Sequence, residues 1–424
     1  MTIKDFKPGN YDLLECTLIN CTGKELDIRG LFLTIDIYED LYSSTLSGEI
    51  SINDSMDIYK NFPIIGQEKL RVKFRTKSDF NAITLYFYVY KSSPSAQLNN
   101  FGARIFNLSL VSKEKMIDQH MFIQRGIPAG KNCILAKSIL QNELQTEKPI
   151  FLDECSSIIS YTPAMHRPLE TIMMFAARAK SAQYTNPAYV FYESSLGFNF
   201  RTIESLLSAS TIADYSFAMK NNKSLTPDQL YYSVVKYLKS NPVSTFDKAA
   251  NGLIGSTVSK FDPLFRTVTT KTRSMFNSDD YSNSIKLGGS DINSRIYTQD
   301  YEFQNPEGMH KIVVAGSKGE LTQDRYALLN QYTNSLKMNV NLPGNSNLYV
   351  GALINLQVPN EVATFNVESK ELAGKYIITA LRHKLNQTDY TSVCELSRDS
   401  YSNNVLKDND KRFKDLFNDA SRTS

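Results

Sequence analysis

The chain has 424 residues, 42% hydrophobic and 21% charged, proportions of a globular protein with real cores that exclude a disordered chain. Its net charge of +3 is too small to argue for a stable nucleic-acid complex. No run approaches the ~18 consecutive apolar residues of a membrane-spanning helix, so stable membrane insertion is not expected. Met1 to Asp5 opens no apolar signal core, which predicts synthesis and retention in a cytoplasm. The five cysteines (Cys16, Cys21, Cys133, Cys155 and Cys394) are scattered without a CxxC, the pattern of reduced, mostly buried thiols.

From about Leu26 to Ser112 the chain alternates apolar and polar residues. Ile28, Leu31, Leu33, Ile35 and Ile37 lead into Ile50 and Ile52. Leu70, Val72 and Phe74 then share one strand face, Leu85, Phe87 and Val89 another, and Ile105, Leu108 and Leu110 repeat the pattern with one offset. This is a meander of half-buried strands, the signature of a barrel or sandwich. The period then changes. Residues 130–144 fit a helix with Ile134, Leu135, Ile139 and Leu140 on one broad face. Pro168 opens a second helix, with Leu169, Ile172, Met173, Ala176 and Ala179 at helical spacing, and that face reads as core. Tyr189 to Tyr192 and Phe198 to Arg201 flank residues 193–197 as a hairpin. Residues 241–294 are polar yet still alternate through Thr257, Ser259, Phe261 and Val268, as long exposed strands would, before a loop from Asn277 to Ser294. Leu321 to Tyr332 reads as a helix, Leu336 to Asn341 as a strand and Pro343-Gly344-Asn345 as a turn. The tail from Tyr401 to Ser424 carries Phe413, Leu416, Phe417 and Ala420 at helical spacing, consistent with a frayed end or with a helix that docks on a partner.

Two stretches follow the same plan. Residues 46–54, 66–74, 83–90 and 104–111 form one set, and residues 253–262, 351–358, 375–383 and 390–397 the other. Each set is a glycine-started strand ending near an Asp, a second glycine-started strand and two further strands of alternating character, with Gly48, Gly66, Gly255 and Gly351 at the starts or bends. Two similar modules in one chain suit a chain that fills two equivalent places in a ring.

Chemistry is nearly missing from this pattern. The four histidines, His120, His166, His310 and His383, form neither HExxH nor HxH, and no phosphate-binding loop or nucleophile elbow occurs. Gly288-Gly289 reads as a flexible turn, since no Lys follows at the spacing a phosphate cradle needs. Glu170 is the carboxylate one would nominate for acid–base work, but an acidic residue in a first helical turn complements the helix dipole. The run Lys69-Leu70-Arg71-Val72-Lys73 puts its charges on one strand face, either a solvated face or a barrel wall that meets another ring. No catalytic, cofactor-binding or metal-ligating residue is assigned, and no cofactor is expected.

Set side by side, the segments resemble the baseplate central hub proteins of contractile-tailed phages. The residues that carry the likeness are Ser47 to Asp54, Pro168 to Ile172 and Tyr189 to Thr202. Gly351 to Leu356, Gly374 to His383 and Glu395 to Asp399 are also similar to the hub region of type VI secretion spike proteins. The likeness runs from about residue 30 to 400, and its specificity lies in the order and joint presence of the segments.

The resemblance implies a mainly β fold with α+β insertions: two similar tube-type β-barrel domains and a helical/hairpin middle element. The expected division is a first barrel over 1–112, an α+β middle domain over 113–240, a second barrel from 241–276 and 333–400, an insertion over 277–332 and a tail over 401–424. It further implies a homotrimer in which three pairs of barrels form a pseudo-sixfold ring. Such a ring would adapt a hexameric tail tube to a trimeric spike and line the channel through which DNA passes transiently. The implied partners are the spike, tail tube or tube-initiator proteins and other baseplate proteins, in a virion tail assembled in the bacterial cytoplasm. The chain lacks the fused β-helix of hub–spike proteins, so a separate spike is expected. The alternatives are the hub component of a contractile secretion spike, which shares the fold, and a tail-tip cell-wall hydrolase.

Overall fold

The computed structural model describes residues 8–54, 58–62, 64–77, 81–93, 96–97, 104–184, 188–217, 230–239, 255–274, 309–314, 325, 329, 336–358 and 372–398. The first module contains β1 (Tyr11–Ile19), β2 (Glu25–Asp27), β3 (Phe32–Asp40), β4 (Ser47–Asp54), α1 (Ile58–Asn61), β5 (Lys69–Thr76), β6 (Ile83–Ser92), β7 (Ala96–Gln97) and β8 (Arg104–Ser112). Its strands pair in the order β3-β4-β8-β6-β5-β1-β2. Alternation decides the inward face, since successive strand side chains point to opposite sides. Leu70, Val72 and Phe74 are buried, as are Leu85, Phe87 and Val89, and each contributes roughly 1.5–3 kcal/mol by leaving water. On β8 the buried set is Phe106, Leu108 and Leu110, with Ile105 half-buried, so the offset in the sequence pattern is resolved in favour of Phe106. On β3 a bulge between Phe32 and Thr34 turns Phe32 inward and leaves Leu33 half-exposed. A similar bulge between Leu13 and Glu15 breaks the alternation of β1, a strand the periodicity alone does not reveal.

The middle element contains α2 (Lys113–His120), β9 (Ile127–Lys131), α3 (Asn132–Asn142), β10 (Ile150–Leu152), β11 (Ile158–Tyr161), α4 (Pro168–Arg178), β12 (Tyr189–Ser194), β13 (Gly197–Thr202) and α5 (Ile203–Leu207). Pro168 occupies the first position of α4, as predicted. Glu170 Oε2 accepts the Arg167 N–H at 3.1 Å and Asp118 Oδ1 the Leu169 N–H at 2.8 Å, so two donors at the start of the helix are satisfied by carboxylates. The buried face of α4 is Leu169, Ile172, Phe175 and Ala176, while Met173 is 45% exposed, a correction to the predicted face. Likewise Ile134 of α3 faces out, and Cys133, Ala136, Ile139 and Leu140 face in.

The β12–β13 hairpin is buried on both faces. Tyr189, Phe191, Phe198 and Phe200 enter the core of the middle element, whereas Val190 and Tyr192 enter the core of the second β-module. One hairpin is thus the shared wall of two cores.

The remaining strands are β14 (Thr211–Phe217), β15 (Ser233–Val234), β16 (Lys236–Lys239), β17 (Gly255–Asp262), β18 (Thr267–Ser274), β19 (Met309–Val314), β20 (Leu336–Pro343), β21 (Leu353–Gln357), β22 (Gly374–Asn386) and β23 (Tyr390–Arg398). The second module is built on β20, β21, β22 and β23, with β14 parallel to β21 and β16 antiparallel to β20. The strands β14, β15 and β16, expected in the middle domain, therefore pair with the second module, and Tyr215 and Val234 lie in its core. Residues 255–262, expected in the second barrel, instead pair with β18 and β19 in a three-stranded sheet of their own. Long-range pairing draws β14 and β16 to the second module, whereas β17 stays with its chain neighbour β18 and with β19. Of the expected 277–332 insertion, only Met309–Val314 and residues 325 and 329 are described, so its loop and most of its helix lie outside the described residues, as does the 401–424 tail.

The 13-residue β22 joins the modules. One edge pairs with β23. On the other, its first part pairs with β21, and Ala380 to Asn386 pair with Asp40 to Thr34 of β3. The two modules thereby form a single curled sheet of 15 strands, and the chain is mostly β as predicted.

Candidate functional site

The chemistry of this chain is concentrated where its three cores meet. Each core ends there in backbone donors that need partners once buried. Glu39 of β3 supplies two of them: Oε1 accepts the Ser195 N–H from the β12–β13 turn, and Oε2 the Val350 N–H just before β21, both at 3.0 Å. One carboxylate therefore ties the first module to the middle hairpin and to the second module. Buried His383 of β22 lies 3.6 Å from Glu39 Oε1, beyond hydrogen-bond reach, and its Nδ1 is 2.7 Å from the Tyr390 hydroxyl.

Glu193 of β12 makes the reciprocal connection. It accepts the Leu46 N–H at 2.9 Å and the Ser112 hydroxyl at 2.6 Å, both from the first module, and the Lys148 ammonium at 2.6 Å. Lys148 also donates to Glu114 Oε2 at 2.7 Å, and Glu114 Oε1 accepts the Thr146 hydroxyl at 2.7 Å. Burial works to lower the Lys148 pKa, but Glu193 and Glu114 outweigh it, and the net direction is up, so the ammonium stays charged. Two further contacts bind the β-modules directly. Arg382 of β22 holds Asp36 of β3 through a bidentate pair at 2.9 and 2.8 Å, and the Ser346 N–H donates to the Thr76 hydroxyl at 2.8 Å. The arrangement fixes orientation.

Two glycines mark close approaches. Gly48 sits in β4 where a Cβ would lie 2.8 Å from the Asp36 carbonyl oxygen. Gly351 has φ +87°, and a Cβ there would overlap the Tyr192 hydroxyl.

The outer face of the first module is the second feature. Lys69, Arg71, Lys73 and Arg75 line β5, beside Tyr86, Tyr88 and Tyr90 of β6, and Tyr86 and Tyr90 are more than half exposed. Lys69 Nζ stands 5.5 Å from the Tyr88 ring centroid. Arg71 pairs with Glu15 at 2.9 Å and Arg75 with Asp12 at 3.2 Å, so carboxylates of β1 offset part of the positive charge.

The histidines are not brought together. His120 ends α2, His166 Nδ1 is 3.1 Å from the Tyr161 hydroxyl, His310 lies in β19 and His383 is in the junction. Glu170 caps α4. Gly288 and Gly289 lie outside the described residues, and Gly255 begins β17. Among the described residues no cluster of three or more His, Cys, Asp or Glu could hold a metal ion, and no helix is long and apolar enough to cross a membrane. An open, polar depression of about 550 Å³ at one end of the first module is lined by Tyr11, Arg29, Lys77 and Gln387 among others. Sequence reasoning missed Asp36, Glu39 and Glu193: Glu39 continues the inward phase of Ile35 and Ile37, which is the available signal for a buried, paired charge, whereas Asp36 alternates with them as an outward residue would and Glu193 follows a run with no period.

No family model matches the chain. A probable baseplate hub protein, gp334 of Vibrio phage KVP40, is 22% identical over 425 residues, covering 91% of this chain and 96% of that protein. Among solved structures, a tail protein from Neisseria meningitidis MC58 superposes with a TM-score of 0.57 at 10% identity, over 92% of this chain and 97% of the other. The 43 kDa tail protein of prophage MuSo2 from Shewanella oneidensis gives 0.56 at 12% identity, over 92% and 98%. Over nearly its whole length the chain is thus related to a phage baseplate hub protein, and it has the fold of phage-type tail proteins.

Proposed function

We propose that the chain is the structural hub of a phage tail baseplate and acts without catalysis. The observation that carries this reading is the edge-to-edge union of two β-modules through β22 and β3, locked by Glu39, Glu193 and Arg382. A chain with two rigidly related β-modules offers two places per subunit. Three such chains supply six, because 3 × 2 = 6, and a ring of that kind matches a sixfold tube on one side and a threefold spike on the other. The tail tube or its initiator proteins, a separate trimeric spike and other baseplate proteins are the partners, and DNA crosses the lumen in transit. A channel that held phosphate tightly would stall the passage of DNA, and a net charge of +3 over 424 residues suits a weakly interacting wall.

End-on electron-microscope class averages test this, on the purified chain alone and mixed with its trimeric spike candidate. Six lobes about a central hole with threefold symmetry are the expected result. Compact single particles in both samples would overturn it. A peptidoglycan-clearing assay on the same protein is expected to show no activity.

A further inference from the structure

Outside the junction, the middle element contains two thiols in direct contact. Cys133 is the second residue of α3, and Cys155 lies between β10 and β11; their relative exposures are 5% and 0%. Their sulfur atoms are 2.9 Å apart, the Cys155 thiol is placed to donate to Cys133 Sγ, and the Cys133 N–H donates to Cys155 Sγ at 3.1 Å. Both cysteines are free. The backbone around them is clamped: Lys131 pairs with Ile158, the Asn132 N–H donates to the Ser157 carbonyl at 3.3 Å, and Cys155 bridges to Ser181. A bonded pair at ~2.05 Å needs the sulfurs to close by only about 0.9 Å.

We propose that Cys133 and Cys155 form a redox site that closes to an intramolecular disulfide when a peroxide reaches it. The Cys133 thiolate attacks one peroxide oxygen. The O–O bond breaks, the leaving oxygen takes a proton and departs as water, and Cys133 becomes a sulfenic acid. Cys155 then attacks the Cys133 sulfur. The S–O bond breaks, and the departing hydroxide takes the Cys155 proton as a second water. Two thiols and one hydrogen peroxide thus give one disulfide and two waters, with two electrons passing from the pair to the peroxide.

The roles follow from the surroundings. The hydrogen bond from Cys155, working against burial and helped by backbone N–H groups, draws the Cys133 pKa down, whereas that of Cys155 moves up. Cys133 is the attacking sulfur and Cys155 the resolving one. The slight exposure of Cys133 admits a reagent as small as hydrogen peroxide.

The experiment treats the native full-length chain with hydrogen peroxide, alkylates it in denaturant and maps its peptides without reductant. Exposed Cys21 reports that the oxidant acted. The expected result is a Cys133–Cys155 linked peptide, 2 Da lighter than the two free peptides and separated again by dithiothreitol. In Cys155→Ser the link is lost and Cys133 gains oxygen. Two free, alkylated thiols in the wild-type chain while Cys21 is oxidised would overturn the proposal. So would Cys133 carrying two or three oxygens with no link, since it would show that Cys155 does not resolve the sulfenic acid. The wild-type measurement stands even if the Cys155→Ser chain fails to fold.

Discussion

Glu204 is the residue at which a local rule and the fold pull against each other. As the second residue of α5 it sits where an acidic side chain suits the helix dipole. It is only 1% exposed, and neither carboxylate oxygen has a hydrogen-bond partner among the described residues. Burial pushes its pKa up to about 7 against a smaller pull from its own backbone N–H, which lies near the carboxylate without the geometry of a hydrogen bond, and the Asp153 charge adds a little. A folded-state value above the unfolded one means that its contribution to stability is complete below about pH 4.5 and is lost as pH rises through 7. Between pH 5 and 8 the wild-type chain should therefore lose on the order of 2 kcal/mol that Glu204→Gln does not lose. Urea midpoints of both proteins at the two pH values check this, and parallel pH slopes would refute it. Gly351→Ala has a different physical cause. The new methyl meets the Tyr192 hydroxyl, and φ +87° disfavours any side chain, so the cost should be about 1–3 kcal/mol. Adding Tyr192→Phe should recover the steric share and leave the backbone share, which a double-mutant cycle in urea separates. Gly351 was legible in the sequence as a glycine starting a strand. What approaches it was not, because Tyr192 is 159 residues away in the chain.

Among elements, the β12–β13 hairpin shows both what the sequence reveals and where it stops. Tyr189 to Tyr192 and Phe198 to Arg201 announce two strands and a turn, and that is what forms. An aromatic run of this kind does not say that its two faces serve two different cores, since burial on both sides gives a continuous apolar stretch with no period. The same ambiguity hides Glu193, whose side chain leaves the aromatic run to meet Lys148, Ser112 and the Leu46 N–H. Removing the cation of this cluster leaves Glu114 and Glu193 facing each other in a buried site. Lys148→Met should therefore destabilise the chain by roughly 3 kcal/mol at pH 8, and by less at pH 4, where the stranded Glu193, whose pKa burial already pushes up, takes up a proton. Equilibrium unfolding at the two pH values measures both quantities. A loss below 0.5 kcal/mol at pH 8 would mean that the cluster does not hold the hairpin against the first module. Helix faces were less legible than strands. Met173 and Ile134 fit the helical spacing but face outward, because 3.6-residue periodicity defines a stripe without fixing its centre, and Phe175 and Cys133 occupy the core instead.

For the whole molecule, the decisive feature is a pairing that joins distant parts of the chain. The sequence announces two β-modules through repeated alternation, but alternation is a property of one strand and carries no record of its neighbours. Hence the second module's recruitment of β14 and β16, the departure of residues 255–262 to a separate sheet and the β22–β3 seam were all invisible in it. The seam and the separate sheet should differ sharply in stability. At the seam, Ala380 to Asn386 pair with β3 beside Leu381, His383 and Leu385, which are at most 2% exposed. In the β17–β18 hairpin, Phe261, Leu264, Phe265 and Val268 are 40%, 81%, 72% and 65% exposed, so these four side chains set little apolar burial against opening. Amide exchange reads this difference directly, because a strand opens with a free energy set by what holds it in place. In the unassembled full-length chain, the amides of residues 380–386 that donate to β3, rather than to β23, should exchange about 100-fold or more slowly than those of residues 255–274. If the two β-modules were instead independent bodies in loose contact, opening the seam would cost little, and its amides would exchange as fast as those of the hairpin. Equal rates would therefore remove the rigid two-module unit on which the ring geometry depends, whereas a protected seam would leave the unit intact before any partner binds.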